Sequence, residues 1–209
     1  MRKIFLLALT LLVSTFAVGE EGTRPDPRPP KYPSLRIMGF GDFNFFDTKN
    51  DSGESVNGFR EGQFVLHFVS ELSQHFSFFA EVSLTATPDE FKTEVERAFV
   101  KYDQSDYFKV GFGRFHTPVS WWNTAYHHGA WLQTTIDRPG PVRFGSEFLP
   151  IHFVGIAADG SIPSGGVGLN YIAGVGNGRD ENIARGGDAG DVNNDRALVA
   201  RLFSRPNKP

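Results

Sequence analysis

The 209-residue chain has no cysteine. Disulfide staples, thiolate nucleophiles and zinc–thiolate sites are therefore excluded. It has no surplus of positive charge: 21 Lys and Arg stand against 24 Asp and Glu, a formal net charge of −3. That balance argues against a nucleic-acid partner, which asks for a basic face. Beyond its first residues the chain lacks any run of 18 apolar residues, so hydropathy shows no transmembrane helix. A strand-built membrane protein is not excluded, because a barrel strand turns only every second residue to lipid.

What the chain does have begins with an export signal at 1–19. Arg2 and Lys3 precede an apolar run, Ile4 to Val18, and Ala17-Val18-Gly19 forms a small-x-small cleavage site before Glu20. The run is too short to span a bilayer as a helix and reads as a cleaved signal peptide. Removing it makes the remainder more acidic by two charges. Residues 20–34 hold Pro25, Pro27, Pro29, Pro30 and Pro33 and read as an extended periplasmic linker. The rest of the chain, 35–209, is rich in Phe (21 residues) and Gly (23 residues), which suits an all-β fold.

Eight segments alternate with period two: Leu35–Phe46, Phe59–Leu72, His75–Ala86, Thr93–Asp103, Tyr107–Phe115, Glu147–Asp159, Gly166–Val175 and Asp195–Ser204. Phe64, Leu66 and Phe68 share one face in the second; Phe76, Phe78, Ala80, Val82 and Leu84 share one in the third. Glu61, Glu71, Glu81, Arg97, Lys101, Lys109 and Arg201 take the opposite parity. The sixth segment is apolar on both faces. These strands exceed the usual five or six residues of a soluble sheet and suit a tilted bilayer crossing of roughly 9–11. Tight turns at Ser73-Gln74, Asp103–Asp106 and Ser161–Gly165 alternate with polar stretches at Asp47–Gly58, Thr87–Lys92, His116–Ser146 and Gly176–Asn194. Such segregation of loops to one end is the plan of an outer-membrane barrel. The expected fold is an all-β, antiparallel, up-and-down transmembrane β-barrel, incomplete at about eight strands. Phe76, Tyr102, Tyr107, Phe108 and Phe203 beside the tight turns are expected to form an aromatic girdle.

The longest insert, 116–146, contains His116, Trp121, Trp122, Asn123, Trp131, Arg138 and Arg143 and follows Arg114 closely. Its aromatic content predicts that it folds inward, burying its Trp residues and narrowing the lumen. Arg114, Arg138 and Arg143 there could attract anions.

Lys109-Val110-Gly111-Phe112-Gly113-Arg114-Phe115-His116-Thr117-Pro118, with the insert ending in Arg138-Pro139, resembles the corresponding part of the phosphate-selective porins of Gram-negative outer membranes. Glu71-Leu72-Ser73-Gln74-His75-Phe76-Ser77 resembles a periplasmic turn of that group. The resemblance implies a porin of a kind that can assemble as a homotrimer, constricted by an inward loop. It does not imply phosphate: the lumen-parity charges are of both signs. The end of the chain, Phe203 to Pro209, reads as a turn before a further strand, so the segment is expected to be the N-terminal portion of a larger barrel.

Other constellations are set aside. His116, His127 and His128 could ligate a metal, but no carboxylate or cysteine stands at ligand spacing and adjacent histidines in an extended segment point apart. Asp191 to Asp195 copies the start of a calcium loop but has Arg196 where Gly belongs. Gly174, Gly176 and Gly178 lack a following helix. His116, Ser120 and Asn123 resemble an outer-membrane phospholipase set only in type. Glu94 and Glu96, two apart on one strand, read as solvated charges. No metal, cofactor or catalytic residue is expected. The expected function is passive diffusion of small hydrophilic solutes or ions, anions among them, across the outer membrane. The alternatives are a closed eight-stranded anchoring or adhesive barrel and a soluble periplasmic β-protein.

Overall fold

A computed structural model describes residues 31–128, 138–143, 148–178 and 194–206. The expected signal peptide, most of the linker, Trp131 and Asp191–Asn193 lie outside the described residues. Eight strands form one sheet in chain order: β1 (Ser34–Lys49), β2 (Ser55–Glu71), β3 (Phe76–Ala86), β4 (Phe91–Ser105), β5 (Phe108–His116), β6 (His152–Ser161), β7 (Leu169–Asn177) and β8 (Arg196–Ser204). Every neighbouring pair is antiparallel. This is the expected up-and-down meander, open between β1 and β8. A single short α-helix, α1 (Trp121–Ala125), follows β5. No described helix is long and apolar enough to cross a membrane, which says nothing about strands.

Of the polar stretches expected to be loops, Asp47–Gly58 is mostly strand, and Thr87–Lys92 gives its last two residues to β4. Cross-strand pairing continues from Lys49↔Ser55 inward, so only residues 50–54 join β1 to β2. Likewise only residues 87–90 join β3 to β4. Polar side chains sustain these extensions by pairing across the turn: the Ser55 hydroxyl donates to Asp47 at 2.8 Å, and Asn50 Nδ2 donates to Glu54 at 3.0 Å. At the other end the β6–β7 connection is not tight; it holds a 3₁₀ turn at Gly165–Val167. Loop length therefore does not sort cleanly by end. Two long connections remain, 117–151 and 178–195, and both lie on the same end.

The two faces differ as the alternation predicted. Val100, Phe112, Ile156, Val175 and Leu198 oppose one another in succession across β4 to β8. They are 36–84 % exposed. Phe64, which pairs with Leu84 on this outer face, is 44 % exposed. Burial is inverted relative to a water-soluble domain. Among the described residues the buried side chains are mostly polar, including Ser83, Glu81, Glu96, His116 and Asn123, while far more large apolar ones are exposed than buried. Of the residues expected in an aromatic girdle, Phe76 and Tyr102 have rings 5.0 Å apart beside the β2–β3 turn. Phe203 instead lies on the polar face, paired with Asn170 and covered by the guanidinium groups of Arg201 and Arg205.

Gly113 shows how tightly the sheet closes. Its φ is +138°, and a Cβ there would sit 2.2 Å from the Ala98 carbonyl. Only glycine fits a conformation of that kind at that separation.

Candidate functional site

The site is built on the polar face, from an irregularity in β4. Glu81 opposes Arg97, but the next pair is Val82↔Val95, so Glu96 is an extra residue without a cross-strand partner. A bulge of this kind turns consecutive side chains toward one side. Arg97 forms an ion pair with Glu81, and Glu96 accepts a 2.7 Å hydrogen bond from Ser83 on the same face. Glu96 is 3 % exposed, whereas the Glu94 side chain is half exposed and pairs with Lys92. The sequence expectation of two solvated carboxylates therefore holds for Glu94 and fails for Glu96, because the bulge re-aims the latter.

Around Glu96 four histidines converge. His152 Nε2 lies 2.8 Å and His127 Nε2 3.2 Å from Glu96 Oε2. His128 Nε2 lies 3.7 Å from Glu96 Oε1 and 3.8 Å from Glu81 Oε1. His116 Nε2 lies 3.5 Å from Glu81 Oε2, and its ring stacks on His127 with centroids 3.5 Å apart. The His116 and His152 backbones are paired directly across β5 and β6. Burial lowers the His127 pKa to about 4, against a hydrogen bond with Glu96 that acts to raise it. Burial also lowers His128 and Arg138.

The long connection is knotted at its base by Asn123. The Asn123 amide donates to the Thr117 carbonyl at 2.8 Å and to the Ile151 carbonyl at 3.0 Å, joining the two feet of the loop. Its Oδ1 accepts from Arg138 at 3.2 Å. The Thr117 N–H donates to Ile151 O at 2.8 Å, closing the hairpin below. From this base the loop reaches both ways over the polar face. His128 Nδ1 meets Gln63 of β2 at 3.2 Å, and Arg201 of β8 donates to Pro118 O at 3.2 Å. These contacts lay the described part of the connection against the polar face. The expected burial of the tryptophans is not seen in the two described: Trp121 is 55 % exposed, and Trp122 is half-buried with its ring 5.4 Å from that of Tyr126.

The other charges expected on this face are mostly paired. Lys101 donates to Asp159 at 2.6 Å, and Lys109 to Asp103. Glu71 opposes Ser77 and approaches Arg36 at 3.9 Å. Arg114 donates its Nε to the Glu96 carbonyl at 3.1 Å. Arg143 is exposed. Glu61 is displaced. A bulge at Gly62 and Gln63, held by the Asp42 carboxylate accepting the Gln63 N–H at 2.7 Å, leaves Glu61 opposite Phe43 on the outer face. Arg60 takes the inner position, over the Phe46 ring.

Glu96, His152, Ser83 and Gln63 were missed as site residues. Glu96 owes its role to a bulge that strict alternation does not show, whereas Gln63 shares the parity of His67 and Glu71. His152 follows from the β5–β6 register, since it opposes His116. An apolar ladder was missed as well: Phe79, Phe99 and Phe115 stack along the same face at 5.5 Å and 4.8 Å.

Residues 36–138 match the family described as phosphate-selective porin O and P. The match runs from β1 through β5 into the loop, just under half of the chain, and over that span the chain resembles the family. No curated protein and no solved structure matches the chain. The family match supports a porin-like channel function in a Gram-negative outer membrane, and the family is one of channels rather than enzymes.

Proposed function

We propose that the chain builds part of the wall of an outer-membrane diffusion channel, with its apolar face in lipid, its polar face toward water, and the loop from His116 onward narrowing the passage. One observation carries this reading. A continuous row of exposed apolar residues, Val100 to Leu198, covers one face of five strands, while charges and the docked loop occupy the other. In water, exposed apolar rows of this extent are aggregation surfaces; in a bilayer they are the required lipid contact.

The polar face has a mixed sign. Glu81 with Arg97, Lys101 with Asp159, and Lys109 with Asp103 alternate cations and carboxylates. Paired charges leave a modest residual field, so the passage admits small hydrophilic solutes with weak ion preference. Single-channel recording on the full-length chain in a planar bilayer tests the function. Discrete, ohmic conductance steps are expected. A monodisperse protein that folds in buffer without detergent and produces no steps overturns the reading.

A further inference from the structure

We propose that Glu96, His116, His127 and His152 form a binding site for a late first-row divalent cation, with Zn²⁺ as the representative ion, and that this ion ties the long loop to the sheet. One ligand atom from each of the four lies within 4.8 Å of every other. A tetrahedral zinc site with bonds near 2.0–2.1 Å places its ligand atoms about 3.3 Å apart. Glu96 Oε2 already stands 2.8 Å from His152 Nε2 and 3.2 Å from His127 Nε2. The four come from β4, the end of β5, the loop and the start of β6, so one ion would cross-link segments far apart in sequence.

The donor set selects the class of ion. Imidazole with a single carboxylate suits zinc, copper, nickel and iron, whereas magnesium and calcium take oxygen cages. Ser83 donates to Glu96 Oε1 and leaves Oε2 toward the histidines, which is how an outer hydroxyl orients a ligating carboxylate. The neighbouring triad of Glu81, His116 and His128 is a poorer host, because Arg97 already places a guanidinium on Glu81.

The rings make the same point. His116, His127 and His152 lie with centroids 3.5–5.7 Å apart, in a buried space around the Glu96 carboxylate. His116 Nε2 is buried without a hydrogen-bond partner. His127 and His152 hold Glu96 through Nε2, so ligation moves each ring proton to Nδ1 and turns the Nε2 lone pair to the ion. Two stacked rings cannot both aim a lone pair at one point, so ligation requires His116 or His127 to turn about χ2. All four ligands are about 10 % exposed or less, which leaves no open coordination position; the site is structural rather than catalytic.

This inference rests on side-chain geometry and is separable from the channel reading: a chain that conducts but takes up no zinc would sink only the metal site. The test uses the full-length chain in detergent, stripped with EDTA and titrated with Zn²⁺ in competition with a chromophoric chelator, with bound metal counted by mass spectrometry. One tightly held Zn²⁺ per chain is expected. Glu96→Gln and His152→Gln should weaken it by roughly 100-fold or more, while His75→Gln, at an exposed turn, should not change it. Heat-dependent gel mobility identifies variants that have folded. His127→Gln, a change in the loop rather than in a strand, keeps the test available if a strand variant does not fold. Co²⁺ should give visible ligand-field bands in the wild type that His127→Gln loses. Zinc affinity equal in the wild type and a folded His127→Gln or His152→Gln variant, or uptake of Mg²⁺ in preference to Zn²⁺, overturns the proposal.

Discussion

Glu96 and Arg97 are consecutive residues of a β-strand, yet both project to the same face, Arg97 onto Glu81 and Glu96 into a ring of histidines. In regular alternation one of them would lie on the apolar outer face. The bulge that prevents this also supplies the docking point of the long loop. Replacing Glu96 with Leu removes the acceptor for Ser83 and the partner of two buried histidines, at a cost of about 2–3 kcal/mol in loop docking. Limited proteolysis should then cut within the loop far faster than in the wild type. Glu94→Gln, on an exposed side chain, should leave the cutting rate unchanged.

Asn123 carries the base of the loop. Asn123→Ala leaves two buried carbonyls and the Arg138 guanidinium without this partner. A loss of about 2–3 kcal/mol is expected. Tryptophan fluorescence should shift, since Trp122 is its neighbour, and single-channel traces should become noisier and larger. An unchanged conductance would show that the loop does not narrow the passage.

The outer face gives the sharpest test of environment. Leu198 is 84 % exposed. In water, Leu198→Arg would be nearly neutral; facing lipid it costs about 1–4 kcal/mol, more the deeper it lies. Refolding yield into detergent or vesicles should fall accordingly, measured by gel mobility without boiling.

Gly113→Ala would place a methyl group against the Ala98 carbonyl at a positive φ. Failure to reach the folded form is expected. Gly140→Ala, where a Cβ meets nothing within 4 Å, should fold as the wild type does.

Lys101→Ala should uncover the Asp159 carboxylate it now pairs with. Reversal potentials in a salt gradient should move toward cation preference. No shift would mean that this pair lies outside the ion path.

Much of the architecture was legible because strand periodicity is a local property. Phe64, Leu66 and Phe68, or Leu198, Ala200 and Leu202, announce their face two residues at a time. Loop boundaries were less legible: Asp47–Gly58 looks like a loop by composition, but its polar residues pair across the hairpin as readily as apolar ones. Glu61 was assigned to the wrong face for the same reason that Glu96 was dismissed. A bulge inserts a single residue and inverts everything beyond it, and no composition signal marks it.

The sequence by itself determined that this chain forms long two-faced strands with a lipid-compatible side, because alternation is written residue by residue. Only the tertiary structure decided what meets on the polar side. Glu96, His116, His127 and His152 span 56 residues of chain, and their convergence depends on strand register, one bulge and the path of a loop. These are long-range quantities that no window of neighbouring residues contains.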